Sequence, residues 1–493
     1  MAYCIRHPRE PAGGESLAIF LRRALPSART GYRSAIIPNF ALKSRFFISF
    51  GAPRLKRALL ASCGLIGLSL SLISCGSSSS SNQPPSQLST RVLVSQGVSS
   101  PTASPGLLMI NGATDTTARV SEISAGTSPS FMALSPTKAT LLVYDSSNNS
   151  NSVAVVNTRT ESSTGKVQLT GPSSSMVLPV ITSIGYAAVA SAQMTGFPPG
   201  AIEVMNLSGG VVSTIIGVPN AQTVVANANG SQLLVFSHDL DTVSIVSPLL
   251  AVPPVDTGCD LEPSPTCTVI KGFDRPVYGF FASDGSTVYI LNCGQECGGT
   301  GTAGKGASIQ VLHLSSPPAV DSPVPLDGAT MGLLSGSTLY VAGTSPSNNS
   351  CAGQTTAATT CGRLTVVALA STPTVTGTVV IPDGYHDHMD MSSNRQLFIG
   401  SHSCTDIGNA NNPSGEVRGC LAIFDTTKAG NTTAVIPPDN GDVTGLQSFR
   451  TRFVEYVVEG GNLRIYDTNK DVLQKTQLTV TGAAFDVKAI DFF

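Results

Sequence analysis

The chain has 493 residues, of which 12% are charged, and it contains 48 glycines, 32 prolines and no tryptophan. Residues 1–57 carry 11 of the 29 lysines and arginines but only two acids, which leaves residues 76–493 with a formal charge of about −11. A body this acidic repels nucleic acid and anionic lipid, so we expect no nucleic-acid partner.

The first 75 residues have the organisation of an export signal. Residues 1–50 form a basic leader, which indicates either a start codon assigned too early or an extended n-region. Residues 51–75 contain a positive segment, RLKR, and then the apolar run ALLASCGLIGLSLSLI, which is shorter than the ~20 residues of a comfortable membrane span. No later apolar run approaches that length, so the sequence predicts a soluble body after the signal.

The segment LISC, which ends at Cys75, resembles the lipobox of bacterial lipoproteins. The resemblance implies that the Cys75 thiol is lipidated, that the chain is cut just before it, and that the Ser- and Pro-rich residues 76–89 are a flexible tether. Gly76 after the cysteine is similar to the family's outer-membrane pattern. The resemblance therefore implies an exported protein, lipid-anchored to the outer membrane or cell surface, with the periplasm as the alternative. An ordinary cleaved signal or an uncleaved anchor with an incidental cysteine is the other interpretation.

From residue 90 to the end, short strand-like runs recur in units whose starts lie 46 to 58 residues apart. Typical pairs of runs are ATLLVYD with SVAVVNT and STLYVAGTS with RLTVVAL, and each unit carries one further run before such a pair and one after it. A twisted four-stranded sheet cannot cover its own apolar faces, but a ring of such sheets packs face to face. The sequence thus predicts an all-β fold, a β-propeller over residues 90–493.

The two ends of the repeat region predict how the ring closes. The first unit begins directly with RVLVSQ and lacks a leading strand, whereas the chain ends with AAFDVKAIDFF, which looks like a lone leading strand. We expect the C-terminal strand to complete the first blade. This arrangement gives about eight four-stranded blades, with seven, the commoner number for this repeat type, as the alternative.

The units resemble the YVTN family of β-propeller repeats. The segments SPTKATLLVYD, SDGSTVYILN and NLRIYDTNKD carry the similarity, which extends over residues 90–493. Because the repeats are degenerate, the resemblance implies the propeller fold more than any activity.

The cysteines after the signal fall into close pairs, each within or beside one inter-strand loop. The pairs are Cys259 with Cys267, Cys293 with Cys297, Cys351 with Cys361, and Cys404 with Cys420. An even count in local pairs on an exported chain predicts disulfides that brace long loops, each stabilising by about 2–3 kcal/mol in the loop-entropy model. A zinc site is the alternative for the pair that begins at Cys293, but no Cys or His pair lies near it in sequence.

One polar cluster, GYHDHMD, could carry chemistry. His386 and His388 alternate, so in a strand they would share a face, with the carboxylates of Asp387 and Asp390 beside them. His402, at the end of LFIGSH, is expected on the same rim of the ring. The candidate ligands for zinc or another divalent metal are therefore His386, His388, Asp390 and His402, which could also supply a general base. The alternative is that these side chains only hydrogen-bond loops at the rim.

Two other motifs are rejected. GGTGTAGKG fits the phosphate-binding pattern G-x-x-x-x-G-K, but a glycine stands where serine or threonine would bind magnesium, and a strand follows where a helix should begin. DTNKD lacks the glycine and the final glutamate of a calcium loop, so we expect a tight turn there.

These observations favour a non-enzymatic function. We expect a lipid-anchored propeller that acts as a binding or interaction scaffold in the bacterial cell envelope. Its partners would be the membrane, through the N-terminal lipid, and a protein or small-molecule ligand at the propeller rim. The alternative, implied by resemblance to propeller lactonases, is a metal-dependent hydrolase that uses the rim histidines near the central channel. A divalent metal would then be the cofactor, and no other cofactor is implied.

Overall fold

The computed structural model describes residues 84–97, 106–147, 150–180, 183–247, 257–259, 267–300, 306–344, 361–405, 417–428, 430–437, 441–478, 480 and 482–491. The predicted basic leader, the signal with Cys75 and residues 76–83 of the predicted tether lie outside the described residues. Within the described ranges, no helix is long and apolar enough to cross a membrane.

The described strands form small, mainly antiparallel sheets that follow one another along the chain as the blades of a ring. Blade 1 contains β1 Thr90–Gly97, β2 Gly106–Asn111 and β3 Thr116–Ile123, and blade 2 contains β4 Pro129–Leu134, β5 Thr140–Asp145, β6 Ser152–Asn157 and β7 Ser162–Gln168. Blade 3 contains β8 Ser175–Val177, β9 Ile184–Val189, β10 Ala201–Asn206 and β11 Val211–Gly217, and the later strand β15 Thr257–Gly258 pairs with β11. Blade 4 contains β12 Thr223–Ala226, β13 Leu233–Phe236, β14 Thr242–Val246 and β16 Cys267–Lys271.

Blade 5 contains β17 Pro276–Phe281, β18 Thr287–Asn292, β19 Ser308–His313, β20 Ala319–Val320 and β21 Val324–Pro325. Blade 6 contains β22 Met331–Ser335, β23 Thr338–Gly343, β24 Gly362–Ala368 and β25 Thr374–Ile381, and blade 7 contains β26 Tyr385–Met391, β27 Gln396–Cys404 and β28 Arg418–Asp425. Blade 8 contains β29 Val443–Ser448, β30 Val454–Glu459, β31 Asn462–Asp467 and β32 Val472–Leu478. The last strand, β33 Ala483–Asp491, returns to blade 1. A short 3₁₀ helix, Gly294–Cys297, follows β18.

The first strand of each blade contacts the first strands of both neighbouring blades, so these strands surround the central channel. Their order around the ring is β33, β4, β8, β12, β17, β22, β26 and β29. Counted over the described residues, the ring therefore has eight blades. The predictions of an all-β fold, of a propeller and of eight blades are confirmed, and the seven-blade alternative is wrong.

The repeats are recognisable in the sequence because the middle strands of the blades are buried on both faces. In β5, Leu141 and Val143 pack towards blade 1, whereas Leu142 and Tyr144 pack towards blade 3. Each of these side chains is at most 4% exposed. Burying a side chain of this size contributes about 1.5–3 kcal/mol, so the interfaces between blades stabilise the ring.

The ring closes as the sequence predicts. β33 pairs antiparallel with β1 and places Val487 opposite Val94. At the same junction, the Arg452 guanidinium of blade 8 forms a bidentate ion pair with Asp115 of blade 1, with N–O distances of 2.6 and 2.8 Å. The Tyr456 hydroxyl donates a further hydrogen bond to Asp115. Backbone pairing and a half-buried charge pair thus both join the two ends of the chain.

Blade 7 departs from the four-strand pattern within the described residues, because its sheet contains only β26, β27 and β28. The outer position is taken by a single bridge, in which Ile423 and Val435 exchange two backbone hydrogen bonds of 2.8 Å. Pro437 lies two residues after Val435, and proline cannot donate to a sheet. The outer strand of this blade is therefore confined to one bridge.

The disulfide predictions are confirmed wherever both cysteines are described. The bonded pairs are Cys259 with Cys267, Cys293 with Cys297, and Cys404 with Cys420. Cys361 is buried. Its predicted partner, Cys351, lies outside the described residues, so that pairing remains a prediction. The two bonds that begin at Cys293 and Cys404 each brace the loop between the second and third strand of a blade.

The N-terminal segment before β1 joins the ring at one of the two ends of its central channel. We call the end where each first strand begins and each second strand ends the upper rim, and the opposite end the lower rim. Just before β1, the Ser86 amide donates to the Glu161 carboxylate at 2.7 Å, and Glu161 lies in the turn between β6 and β7. That turn belongs to the lower rim, so the N-terminal segment joins the propeller there.

Candidate functional site

The predicted histidine cluster lies on the upper rim of blade 7. β26 begins there and β27 ends there, so Tyr385 is directly opposite His402 in the antiparallel pair. Their rings stack at a tilt with centroids 5.2 Å apart. The bond between Cys404 and Cys420 lies just beyond His402 and fixes the end of β27 to β28. The placement of His402 near the start of β26 is thus as predicted.

A β-bulge changes the predicted arrangement of the first two histidines. His386 pairs with Ser401 and His388 pairs with Gly400, so Asp387 is the extra residue between them. Because a one-residue insertion shifts the alternation, His386 and His388 do not share a face, and that expectation is wrong. No local feature of the sequence marks the bulge, since it depends on the register with β27.

His386 is a buried structural residue. It is 1% exposed, and its Nε2 lies 3.2 Å from the Pro382 carbonyl oxygen. Its Cε1 faces blade 6, 2.9 Å from where a Cβ on Gly362 would stand. Burial lowers the pKa of His386 to about 4, so the ring is neutral near neutral pH. His386 is therefore held away from solvent and from the other histidines.

The bulged residue, Asp387, is the centre of the cluster. One carboxylate oxygen lies 2.7 Å from the Nδ1 of His388, and the other lies 3.3 Å from the Nδ1 of His402. All three side chains are roughly one-third to two-fifths exposed. We call Tyr385, Asp387, His388 and His402 the histidine rim. No described residue bonds the Nε2 of either rim histidine, so both nitrogens remain available to a ligand.

The charges in the histidine rim support one another. Burial alone would raise the pKa of Asp387, but the charges and hydrogen bonds of His388 and His402 outweigh burial and lower this pKa. The hydrogen bond to Asp387, assisted by its charge and by that of Asp442, raises the pKa of His402 against the opposing effect of burial. Asp387 is therefore a stable anion that orients both rings and favours the imidazolium form of His402.

A carboxyl group from blade 5 approaches the same rim. Glu296 lies in the 3₁₀ helix that the bond between Cys293 and Cys297 closes, and it accepts a hydrogen bond of 2.7 Å from the Thr344 amide. Burial raises the pKa of Glu296 to about 8. Burial, together with the charges of Asp387 and Glu296, raises the pKa of Tyr385 to about 12. Glu296 was not among the predicted site residues, although an acid between two paired cysteines is a visible signal in the sequence.

The remaining predicted ligand, Asp390, lies further along β26 and does not join the cluster. Its carboxylate accepts hydrogen bonds from the Ser448 amide of blade 8, at 2.7 Å, and from the Met391 amide. Burial and the nearby Asp390 charge raise the pKa of Glu455, so this side of β26 forms a separate carboxyl pair. Over the described residues, no group of three or more His, Cys, Asp or Glu side chains is arranged to hold a metal ion.

The arrangement defines what the histidine rim can do. A neutral histidine whose Nδ1–H donates to Asp387 presents a lone pair at Nε2, which could accept a proton or bind a metal. A protonated histidine presents an Nε2–H donor at the same place. The rim is therefore a pair of oriented imidazoles, and the outward Nε2 of His402 changes from a donor to an acceptor as the pH rises through its raised pKa.

Comparison with known proteins identifies the fold and nothing finer. No family model matches the chain, and no curated protein matches it in sequence. The structure of dihydro-heme d1 dehydrogenase NirN in complex with DHE is similar with a TM-score of 0.53 at 10% identity, covering 82% of this chain and 78% of that one. The Dos1 propeller has a TM-score of 0.51 at 10% identity, covering 72% and 85%.

A Pseudomonas aeruginosa periplasmic gluconolactonase, PpgL, has a TM-score of 0.43 at 14% identity, covering 81% of this chain and 99% of that one. The two similarities with TM-scores above 0.5 agree with the β-propeller fold, and at 10% identity they assign no activity to the chain.

Proposed function

We propose that this protein is a YVTN-type propeller, exported and lipid-anchored through Cys75, that acts as a binding module in the bacterial cell envelope. The observation that carries the proposal is the histidine rim. Asp387 orients two half-exposed imidazoles, and disulfides brace the neighbouring loops of blades 5 and 7. Loops that are held rigid around available polar atoms are suited to recognition, because less conformational entropy is lost on binding.

The position of the N-terminal segment supports an anchored module. Ser86 meets the propeller at the lower rim, whereas His388 and His402 lie on the upper rim. The described start of the chain therefore lies at the rim opposite the histidine rim, which leaves His388 and His402 to a protein or small-molecule partner.

The ligand should offer hydrogen-bond acceptors to the two histidines. Because Asp387 raises the pKa of His402, the protonated form of His402, with its Nε2–H donor, persists to higher pH than in a free histidine. Binding should weaken as the pH rises through this raised pKa, since the donor is then lost.

The double variant His388→Ala/His402→Ala should fail to retain a partner that the parent captures from envelope extract at neutral pH. His313→Ala is the matched control, because His313 also pairs with an aspartate, Asp321 at 3.1 Å, but lies at the lower end of β19. Quantitative mass spectrometry of the captured proteins would compare the three baits. Equal capture by all three would remove the histidine rim as the recognition surface.

The Cys75→Ala variant should appear in the soluble fraction, whereas the parent should remain in the membrane fraction. The reason is that the thiol of Cys75 is the proposed point of lipid attachment. Immunoblots of separated fractions would measure the ratio, with Cys63→Ala as the control because Cys63 precedes the proposed cleavage point. Retention of Cys75→Ala in the membrane would contradict the lipid anchor.

A metal-dependent hydrolase, lactonase-like in its chemistry, is the second candidate. The specific observation in its favour is that both rim histidines use Nδ1 to bind one carboxylate, which is how ligating histidines are commonly oriented for a metal at Nε2. A bound divalent metal would supply a Lewis acid that activates water. Stoichiometric metal in the purified parent, lost in His388→Ala/His402→Ala, together with hydrolysis of lactone substrates, would place this candidate first. A metal-free parent that hydrolyses no lactone would eliminate it.

A further inference from the structure

Asp274, in the turn that leads into blade 5, has a buried carboxylate that accepts no hydrogen bond within the described part of the chain. The residue is 2% exposed, and neither Oδ1 nor Oδ2 accepts a hydrogen bond from any described residue. An isolated buried carboxylate is strongly unfavourable, and buried charges in proteins are paired or coordinate metals. A cation bound beside Asp274 would compensate this buried charge.

The equivalent turn in blade 7 shows how such a carboxylate is normally satisfied. Asp383 precedes β26 by two residues, as Asp274 precedes β17, and it accepts hydrogen bonds from the amide and the hydroxyl of Thr405. Thr405 follows the rim cysteine of blade 7. In blade 5 the residue after the rim cysteine is Gly294, which has no hydroxyl to offer.

Gly294 cannot be replaced by a donor side chain. Its φ is +63°, and a Cβ there would lie 2.4 Å from the Ala307 amide nitrogen. Its amide donates to the Asp274 carbonyl oxygen rather than to the carboxylate, at 3.1 Å. The backbone of blade 5 thus excludes the donor that blade 7 uses, and the carboxylate of Asp274 stays open.

The open carboxylate faces a loop of glycines. The position of an absent Cβ on Gly299 lies 2.2 Å from Oδ1 of Asp274 and 2.7 Å from the carbonyl oxygen of Gly294, so both oxygens converge beside Gly299. Only glycine allows this approach. Gly298 is exposed, so an ion can reach the loop from solvent.

The nearest cationic side chain in sequence, Arg275, does not donate to this carboxylate. The Arg275 Nε lies 3.9 Å from Asp241 Oδ1, and its Nη2 donates to the Gly298 carbonyl oxygen at 3.4 Å. The carboxylate of Asp274 would also repel an anion, which gives a structural reason why this glycine-rich segment is not a phosphate site.

We infer that Asp274 and the glycine loop 294–299 form a binding site for a hard divalent cation, with Ca²⁺ favoured. A carboxylate with backbone carbonyl oxygens is the ligand set that Ca²⁺ prefers, and Ca²⁺ tolerates irregular geometry that Mg²⁺ does not. The ion would neutralise Asp274 and fix the loop that carries Glu296. The site is separate from the histidine rim and does not depend on the function proposed for it.

Titration calorimetry with CaCl₂ alone, on purified protein pretreated with chelator and dialysed, should show one Ca²⁺ per chain and weaker binding of Mg²⁺. Saturating Ca²⁺ should raise the melting temperature by several degrees, because the ion binds only the folded state. Asp274→Asn, which keeps the shape of the side chain, should weaken Ca²⁺ binding by more than about tenfold, the loss typical even for a supporting residue of a metal site. Without Ca²⁺ it should melt no lower than the parent.

Asp284→Asn is the matched control, because this exposed carboxylate of the same blade is already occupied by the amides of Ser286 and Thr287. It should bind Ca²⁺ like the parent. A parent that binds neither Ca²⁺ nor Mg²⁺, or an Asp274→Asn variant with unchanged Ca²⁺ binding, would overturn the inference.

Discussion

A chain that ends at Gly482 should not unfold cooperatively. The deletion removes β33, which supplies the channel-facing strand of blade 1 and the pairing along the whole of β1. It also exposes the cluster in which Val487, Ala489 and Ala484 pack against blades 1 and 8. A ring that loses one strand at its junction leaves two open blade faces and an unpaired edge. Circular dichroism melts should show a broad transition at lower temperature instead of a sharp one.

A circular permutant provides the control for this deletion. Moving residues 483–491 to a position ahead of Thr90, through a short turn, would restore the order of strands that every other blade has. Because β33 and β1 are antiparallel neighbours, a hairpin can join them. The permutant should recover a sharp transition near that of the parent. If the truncated chain melts as sharply as the parent, β33 does not close the ring.

The sequence was sufficient for the architecture because the relevant signals are local. Strands buried on both faces form continuous apolar runs, as in TLLVYD and SVAVVN, and their recurrence marks each blade. Ring closure was predicted from the number of strands, because the first unit lacked its leading strand and the chain ended with one additional strand. Disulfide pairing was also local, with separations of 4, 8 and 16 residues.

The site was harder to predict because its geometry is set across strands and blades. The bulge at Asp387 depends on how β26 meets β27, and it turns two alternating histidines away from each other. The approach of Glu296 to Tyr385 joins blades 5 and 7 and depends on the curvature of the ring. Sequence alone therefore identified His388 and His402 as candidate ligands. It did not single out Tyr385, and it put His386 and Asp390 in the place that Asp387 takes.

The two rims of the propeller differ in the way they hold charge. On the upper rim, Asp387 is about one-third exposed and is shared between two histidines whose outer nitrogens are available. On the lower rim, Arg91 and Glu161 are each 1% exposed and form a closed ion pair of 2.5 Å. The first arrangement leaves atoms for a ligand, and the second leaves none exposed to solvent. Of these two charged groups, only the one on the upper rim presents atoms that a ligand can reach.

Replacing Glu161 with alanine should lower the free energy of unfolding by about 3–5 kcal/mol, as expected when one partner of a buried ion pair is removed. Burial already lowers the pKa of Arg91 despite the opposing charge of Glu161, and the Arg91 Nη1 also donates to the Thr158 carbonyl oxygen at 2.6 Å. Without Glu161 that guanidinium would stay buried and uncompensated. Ser86 would lose both of its hydrogen bonds to the carboxylate, so the N-terminal segment would detach as well.

Chemical denaturation should measure this loss, and a double variant separates its causes. Arg91→Met combined with Glu161→Leu removes both charges and keeps apolar volume, so it should be markedly more stable than Glu161→Ala alone. Limited proteolysis near Ser86 should increase in both variants, because both lack the carboxylate that holds this residue. A cost below about 1 kcal/mol for Glu161→Ala would mean that the pair behaves like an exposed one, and the lower rim would then not be the fixed point of the N-terminal segment.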